Sequence, residues 1–81
     1  MLKLVFLGRL ADVAGADERA VAHAPDLAAL LAGLDTALAQ ALRDPRIKLA
    51  VNGRLVATHD ALALADGDEL AFLPPVSGGQ A

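Results

Sequence analysis

Residues 66–79 have the sequence DGDELAFLPPVSGG, which combines a turn, a short strand and a tail. Asp66-Gly67 favours a tight turn, because glycine tolerates the positive φ angles that such turns require. The alternation from Glu69 to Leu73 indicates a strand with one apolar face. Pro74 and Pro75 lack amide donors and favour extended backbone. The pattern predicts a final strand that ends at the prolines and projects the following residues away from the domain.

The composition indicates one domain with an aliphatic core. A chain of 81 residues with 56% hydrophobic and 2% aromatic residues can form a core of leucine, valine and alanine. The absence of cysteine excludes disulfides, thiolate metal sites and a protein thiol nucleophile. The net charge of −3, without a basic block, argues against a nucleic-acid partner.

The remaining exclusions concern membranes, metals and catalysis. The start, MLKLVFLGRL, lacks the length of a signal peptide or membrane span, so we expect a cytoplasmic protein without a membrane partner. His23 and His59 lack the spacing of metal ligands, and no metal site is expected. The chain offers no nucleophile–base pair or phosphate loop, which leaves independent catalysis as the weakest interpretation.

The first half of the chain predicts two strands and two helices. Residues 2–7 form a short apolar run, typical of a buried strand. A helix of one or two turns should follow and end at Gly15. Residues 18–23 are a weaker strand candidate that could pair with the first strand. Leucines from Leu27 to Leu42 at helical spacing predict one long helix, capped by Asp26 and with a bend expected at Gly33.

The second half predicts a hairpin over residues 46–58, turning at Asn52-Gly53, before the final strand. The fold class is therefore α+β, with a mixed five-strand sheet covered on one face by one main helix. Residues 1–75 should form the folded domain and residues 76–81 a flexible C-terminal tail.

The parity of the first and last strands predicts an apolar patch on the uncovered sheet face. Lys3 and Glu69 are charged and should face water. Val5 and Leu7 lie on the same face of the first strand as Lys3, and Leu73 lies on the same face of the last strand as Glu69. Apolar residues on an open sheet face indicate a docking surface, although scattered exposed aliphatics are common. Parity alone does not place Leu55, because a bulge in the neighbouring loop would invert its direction.

The segments KLVFLGRLADVAG, LAVNGRLV and LADGDELAFLPPVSGG together resemble the small-subunit family of molybdopterin synthase, within the ubiquitin-like sulfur carriers. The resemblance covers nearly the whole chain, and PPVSGG favours the molybdopterin branch over the thiamine branch. It implies the ubiquitin-like β-grasp fold, which matches the predicted order of elements.

The resemblance also implies a function. An E1-like activating enzyme would use ATP to adenylate the carboxylate of Gly79, and a sulfur donor would convert it to a thiocarboxylate. The large subunit of molybdopterin synthase would then receive the sulfur. In this interpretation the chain is a non-catalytic carrier that binds no cofactor itself, and Gly78 is a spacer without a side chain.

The carried-over partner contacts fall on the sheet and the tail. Pro74, Pro75, Val76 and Ser77 would form an inserted arm, and Leu7, Leu55 and Leu73 the docking surface. Arg9 is either a polar contact or an ordinary surface arginine, and the second interpretation is favoured.

One departure from the family pattern is the pair Gln80-Ala81, which follows the second glycine. Removal of both residues by a processing protease is the favoured explanation. A partner that tolerates them, or a chain that carries no sulfur, remain alternatives. Two further functions also stay open: a sulfur carrier for thiamine or another product, and a ubiquitin-like protein modifier or binding module.

Overall fold

The computed structural model describes residues 1–56 and 63–74. Predictions that concern residues 57–62, including His59 and the end of the hairpin, lie outside the described residues, as do those on residues 75–81. The elements in chain order are β1 (Leu2–Phe6), α1 (Arg9–Ala14), β2 (Glu18–Val21), α2 (Leu27–Ala32), α3 (Thr36–Leu42), β3 (Lys48–Val51), β4 (Arg54–Leu55) and β5 (Glu69–Leu73).

The strands form one mixed five-strand sheet in the order β2-β1-β5-β3-β4. β1 and β5 run parallel, whereas β2 pairs with β1, and β3 with β4 and β5, in antiparallel fashion. The last strand in the sequence therefore lies in the middle of the sheet. This topology confirms the predicted β-grasp fold and the pairing of the second strand with the first.

Period-two alternation gives β1 and β5 a common core face. Leu4 and Leu70 are fully buried, and Phe6 and Phe72 are each 2% exposed. The two phenylalanines are neighbours in the parallel register and stack with ring centroids 5.9 Å apart. Each buried side chain of this size contributes roughly 1.5–3 kcal/mol to folding. The two strands are thus fixed together by packing as well as by their hydrogen bonds.

The prediction of one long helix is wrong, because the leucine-rich segment forms two helices. α2 ends at Ala32, and the chain resumes a helix only at Thr36. Gly33 is a poor helix former, and the Asp35 carboxylate accepts a hydrogen bond from the Leu38 amide at 3.3 Å. This side-chain cap supplies a new helix start, so the backbone does not need to continue the first helix.

The leucine stripe nevertheless faces the core as predicted. Five of its members are buried, and Leu34, in the break between the helices, is half-buried; the buried members are Leu27, Leu30, Leu31, Leu38 and Leu42. The two short helices keep the same side of the segment against the sheet. None of the helices within residues 1–56 and 63–74 has the length and apolar composition needed to cross a membrane.

A side-chain clamp joins the hairpin turn to the start of β5. Asn52, with φ of 52°, occupies the predicted turn together with Gly53. Its Nδ2 donates to Asp68 Oδ1 at 2.9 Å, and its Oδ1 accepts from the Glu69 amide at 3.0 Å. Asp68 Oδ2 also accepts from the Ala65 amide at 2.9 Å. The DGDE segment therefore both turns the chain and fixes the register of β5 against β3.

This clamp should make stability depend on acid. The hydrogen bond from the Ala65 amide, followed by that from Asn52, holds the pKa of Asp68 below its ordinary value. A carboxyl with a lowered folded pKa stabilises the fold above its unfolded pKa of about 3.9, and this contribution is lost as the pH falls through the folded pKa. We expect Asp68→Asn to be less stable than the parent chain at neutral pH and to lose less stability on acidification.

Urea unfolding at about pH 7 and about pH 3 measures both effects. Asp12→Asn removes the same charge from the exposed surface of α1 and is the matched control. An equal loss of stability on acidification in the parent chain and in Asp68→Asn would contradict the role of the clamp.

Candidate docking face and tail base

The sheet face away from the helices carries an apolar row that crosses four strands. Val5 of β1 is opposite Ala71 of β5, Ala71 is opposite Ala50 of β3, and Ala50 is opposite Leu55 of β4. Residues that are directly opposite in a sheet project from the same face. The register therefore places Leu55 on the open face, which sequence parity left undecided. Its side chain is 69% exposed.

A second row lies nearer the C-terminal end of β5. The Leu7 amide donates to the Phe72 carbonyl at 3.2 Å, which extends the parallel ladder by one residue beyond β1. Leu7 thus lies beside Leu73, and Leu73 is opposite Lys48 on its other side. Leu7 is 40% exposed, whereas Leu73 is half-buried. The structure brings Leu7, Leu55 and Leu73 onto one face, as a common docking surface requires. This open face of the sheet is here called the docking face.

Charged residues border this docking face at the other end of the strands. Lys3 and Glu69 are direct neighbours, and Lys3 Nζ lies 3.4 Å from Glu18 Oε1. Both side chains of that ion pair are exposed, so it contributes little to stability. An apolar centre with a charged border is typical of a protein–protein interface. Contact of this face with a partner stays a prediction.

The base of the tail is fixed by a close approach between Gly8 and Pro74. Gly8 has φ of 56° and ψ of −135°, a backbone conformation that residues with a side chain rarely adopt. A Cβ atom at this position would lie 3.0 Å from Pro74 Cγ. The sequence pattern indicated Gly8 only as the boundary of the first strand. Its contact with Pro74 joins residues that are distant in the chain and has no sequence signal.

A groove of about 140 Å³ lies on the helix side of Pro74. Its lining combines apolar side chains with two arginines and one aspartate: Arg9, Leu10, Val13, Ala41, Asp44, Arg46, Ile47 and Pro74. Arg46 Nη2 lies 2.9 Å from Asp44 Oδ2, and Arg46 Nε donates to Asp44 Oδ1 at 3.2 Å. The hydrogen bonds from Arg46 lower the pKa of Asp44 to about 2. This ion pair therefore persists across the physiological pH range.

The other residues predicted to act in the tail lie outside the described residues. They are Pro75, Val76, Ser77, Gly78 and Gly79, together with the departing pair Gln80 and Ala81. Within residues 1–56 and 63–74, no group of three or more histidine, cysteine, aspartate or glutamate side chains is arranged to hold a metal ion. The described arrangement is suited to presenting the C-terminal segment beside a docking face.

A mixed five-strand sheet in this order, with β5 parallel to β1 in the middle and helices on one face, defines a ubiquitin-like β-grasp protein. The family model described as "ThiS family" matches residues 4–79 of the chain. The chain therefore belongs to the ThiS family.

One relative of known sequence and two solved structures are similar to this chain over nearly its whole length. The chain is 39% identical to the molybdopterin synthase sulfur carrier subunit of Escherichia coli K12, over 98% of this chain and 100% of that protein. The H. volcanii small archaeal modifier protein 1 has a TM-score of 0.69 and 31% identity, over 93% of this chain and 97% of that one. In the complex of subunits 1 and 2 of the molybdopterin-converting factor from Helicobacter pylori 26695, the matching chain has a TM-score of 0.66 and 28% identity, over 96% and 97%.

The Gly8–Pro74 contact predicts that a methyl group at Gly8 disturbs the direction of the tail. Gly8→Ala should cost about 1–3 kcal/mol of unfolding free energy, because alanine is strained at this φ. It should also displace the Pro74 ring. NMR chemical shifts of Leu73 and Pro74, together with urea unfolding, measure both effects. Gly53→Ala, at a positive φ with open space around it, is the control for strain alone. Unchanged Pro74 shifts in Gly8→Ala would contradict the contact.

Proposed function

We propose that this chain is the sulfur carrier subunit of molybdopterin synthase. The observation that carries the proposal is the family match, which extends through Gly79 and so includes the Gly78-Gly79 pair. Identity of 39% over the full length of a bacterial sulfur carrier subunit supports the same assignment. The placement of β5 in the middle of the sheet is also suited to a carrier, since the segment after Pro74 starts beside the docking face.

The proposed chemistry takes place at the carboxylate of Gly79. A carboxylate is a poor electrophile, because its charge is delocalised and its leaving group would be oxide. Attack of the carboxylate on ATP, within an E1-like activating enzyme, gives an acyl adenylate and pyrophosphate. Sulfur at the oxidation level of sulfide, supplied by a donor, then attacks the acyl carbon and displaces AMP, which leaves a thiocarboxylate. That sulfur next attacks a carbon atom of the pterin precursor and displaces an oxygen leaving group from it, and water then hydrolyses the acyl–sulfur bond, so that the sulfur stays on the pterin and the carboxylate of Gly79 is restored.

The chain contributes binding and reach to these steps. The docking face with Leu7, Leu55 and Leu73 would hold the large subunit, and Pro74, Pro75, Val76 and Ser77 would enter its channel. Gly78 and Gly79 suit a narrow channel because they have no side chains. The H. pylori complex of two converting-factor subunits supports a large-subunit partner. The ATP belongs to the activating enzyme, and we place the carrier in the cytoplasm with it.

A processing step completes the proposal. Gln80 and Ala81 lie beyond the residues matched by the family model, and the reactive carboxylate must belong to Gly79. A protease that removes the two residues would expose that carboxylate. Until removal, the carbonyl group of Gly79 is part of the peptide bond to Gln80 and offers no carboxylate for adenylation.

Intact-mass analysis tests the chemistry directly. A form ending at Gly79, incubated with the matching activating enzyme, ATP and a sulfur source, should gain the mass difference between one sulfur and one oxygen atom. The form ending at Ala81 is the matched control and should gain nothing. No mass change in the Gly79 form, with an activating enzyme shown to release pyrophosphate from ATP when it is given another sulfur carrier, would reject the proposal.

The docking face is tested by one charged substitution. Leu55→Asp should weaken binding to the large subunit by roughly tenfold or more, because the charge would be desolvated inside an apolar interface. Its stability should change by less than about 0.5 kcal/mol, since the side chain is exposed. Ala28→Asp, on the exposed side of α2, adds the same charge on the helix side and should bind normally. Calorimetric titration gives the affinities, and equal values for the two variants would exclude this face.

Two other functions of the same tail remain. Similarity to a protein named small archaeal modifier protein 1 supports the alternative of a protein modifier, in which the glycine carboxylate would be joined to lysines. A search for glycine-glycine remnants on lysines of captured cellular proteins distinguishes this alternative, because sulfur transfer leaves none. A carrier for thiamine or another sulfurated product is distinguished by complementation of a host strain that lacks its own molybdopterin carrier.

A further inference from the structure

The end of β5 is flanked by two basic residues on different sides. Arg9 is the first residue of α1, three residues after the end of β1, and it lines the groove beside Pro74. Lys48 begins β3 and is directly opposite Leu73 on the open face. Because β5 lies between β1 and β3, these two residues, here called the basic pair, stand on either side of the point where the C-terminal segment leaves the sheet.

The basic pair is not neutralised within the described part of the molecule. The ion pairs among the described residues are those of the Met1 amino group with Asp66, of Lys3 with Glu18 and of Arg46 with Asp44. Arg46, which also lines the groove, is therefore held by its own carboxylate, whereas Arg9 and Lys48 have no such partner in residues 1–56 and 63–74. Within residues 1–56 and 63–74, two positive charges without an ion-pair partner therefore lie at the end of β5, in a chain whose net charge is −3.

The groove and the docking face meet at the end of β5. Leu73 belongs to the open face and Pro74 to the wall of the groove, so the two surfaces meet at consecutive residues. The groove offers apolar contact mainly from Val13, which is 45% exposed, whereas Leu10 is buried at its base. A protein that binds at Leu73 and Pro74 can contact both surfaces at once. A carboxylate beside an aliphatic side chain would match the Arg9 guanidinium and the apolar lining.

We propose that the basic pair of Arg9 and Lys48 contacts carboxylates at the mouth of the channel in the large subunit that receives the tail. This inference rests on the proposed function and adds the chemistry of the partner's surface. The charges lie at the border of the interface, where complementary charge mainly accelerates association and selects the partner. The apolar face supplies affinity, and the basic pair orients the carrier so that its tail meets the channel.

Charge reversal with a matched control tests the basic pair. The large subunit from the same cell is the binding partner, and stopped-flow association is measured in buffers of low and high salt. Arg9→Glu and Lys48→Glu should each slow association roughly three- to tenfold at low salt, with the difference shrinking as salt screens the charges. Arg54→Glu makes the same change in β4, away from the end of β5, and should leave the association rate near that of the parent chain.

Three outcomes separate this inference from the function on which it rests. Association of Arg9→Glu and Lys48→Glu at the rate of Arg54→Glu overturns the basic pair and leaves the sulfur carrier intact. An equal slowing of all three variants shows a general effect of net charge and also overturns it. No binding by the parent chain removes both proposals. If Arg9→Glu unfolds, Arg9→Gln replaces it, with about half of the slowing expected.

Discussion

The parallel pairing of β5 with β1 is the constraint on which the rest of this molecule depends. It places the last strand between β1 and β3, so that β5 is hydrogen-bonded on both sides. The stacked pair Phe6–Phe72 fixes the same two strands from the core. A strand held in this way cannot shift its register without moving its core residues into water. The position at which Pro74 leaves the sheet is therefore set by the whole fold.

The side chains of β5 alternate between the core and the docking face. Leu70 and Phe72 point into the core, whereas Ala71 and Leu73 point to the docking face. Any partner that binds the open face thus binds next to the origin of the C-terminal segment. Binding energy from this face can then position a tail that has little surface of its own, which matches the requirements of a carrier that delivers a group to another protein's active site.

The turn chemistry at the opposite end of β5 supports this arrangement. The clamp between Asn52 and Asp68 holds the start of the strand, and the contact of Gly8 with Pro74 fixes its exit. Both contacts connect segments that are far apart in the sequence. The leucine-lined helices cover the remaining face of the sheet and enclose the core.

The fold class, the turns at Asn52-Gly53 and Asp66-Gly67 and the core faces of β1 and β5 could all be predicted from the amino-acid sequence, because alternation and turn residues are local signals. The break after Ala32 has a local cause, the helix cap that Asp35 supplies, but the continuous leucine spacing obscured it. The assembled sheet set the face of Leu55, which depends on register, and the close approach of Gly8 to Pro74. Contacts between distant segments carry no local periodicity, so only the assembled sheet could bring them together.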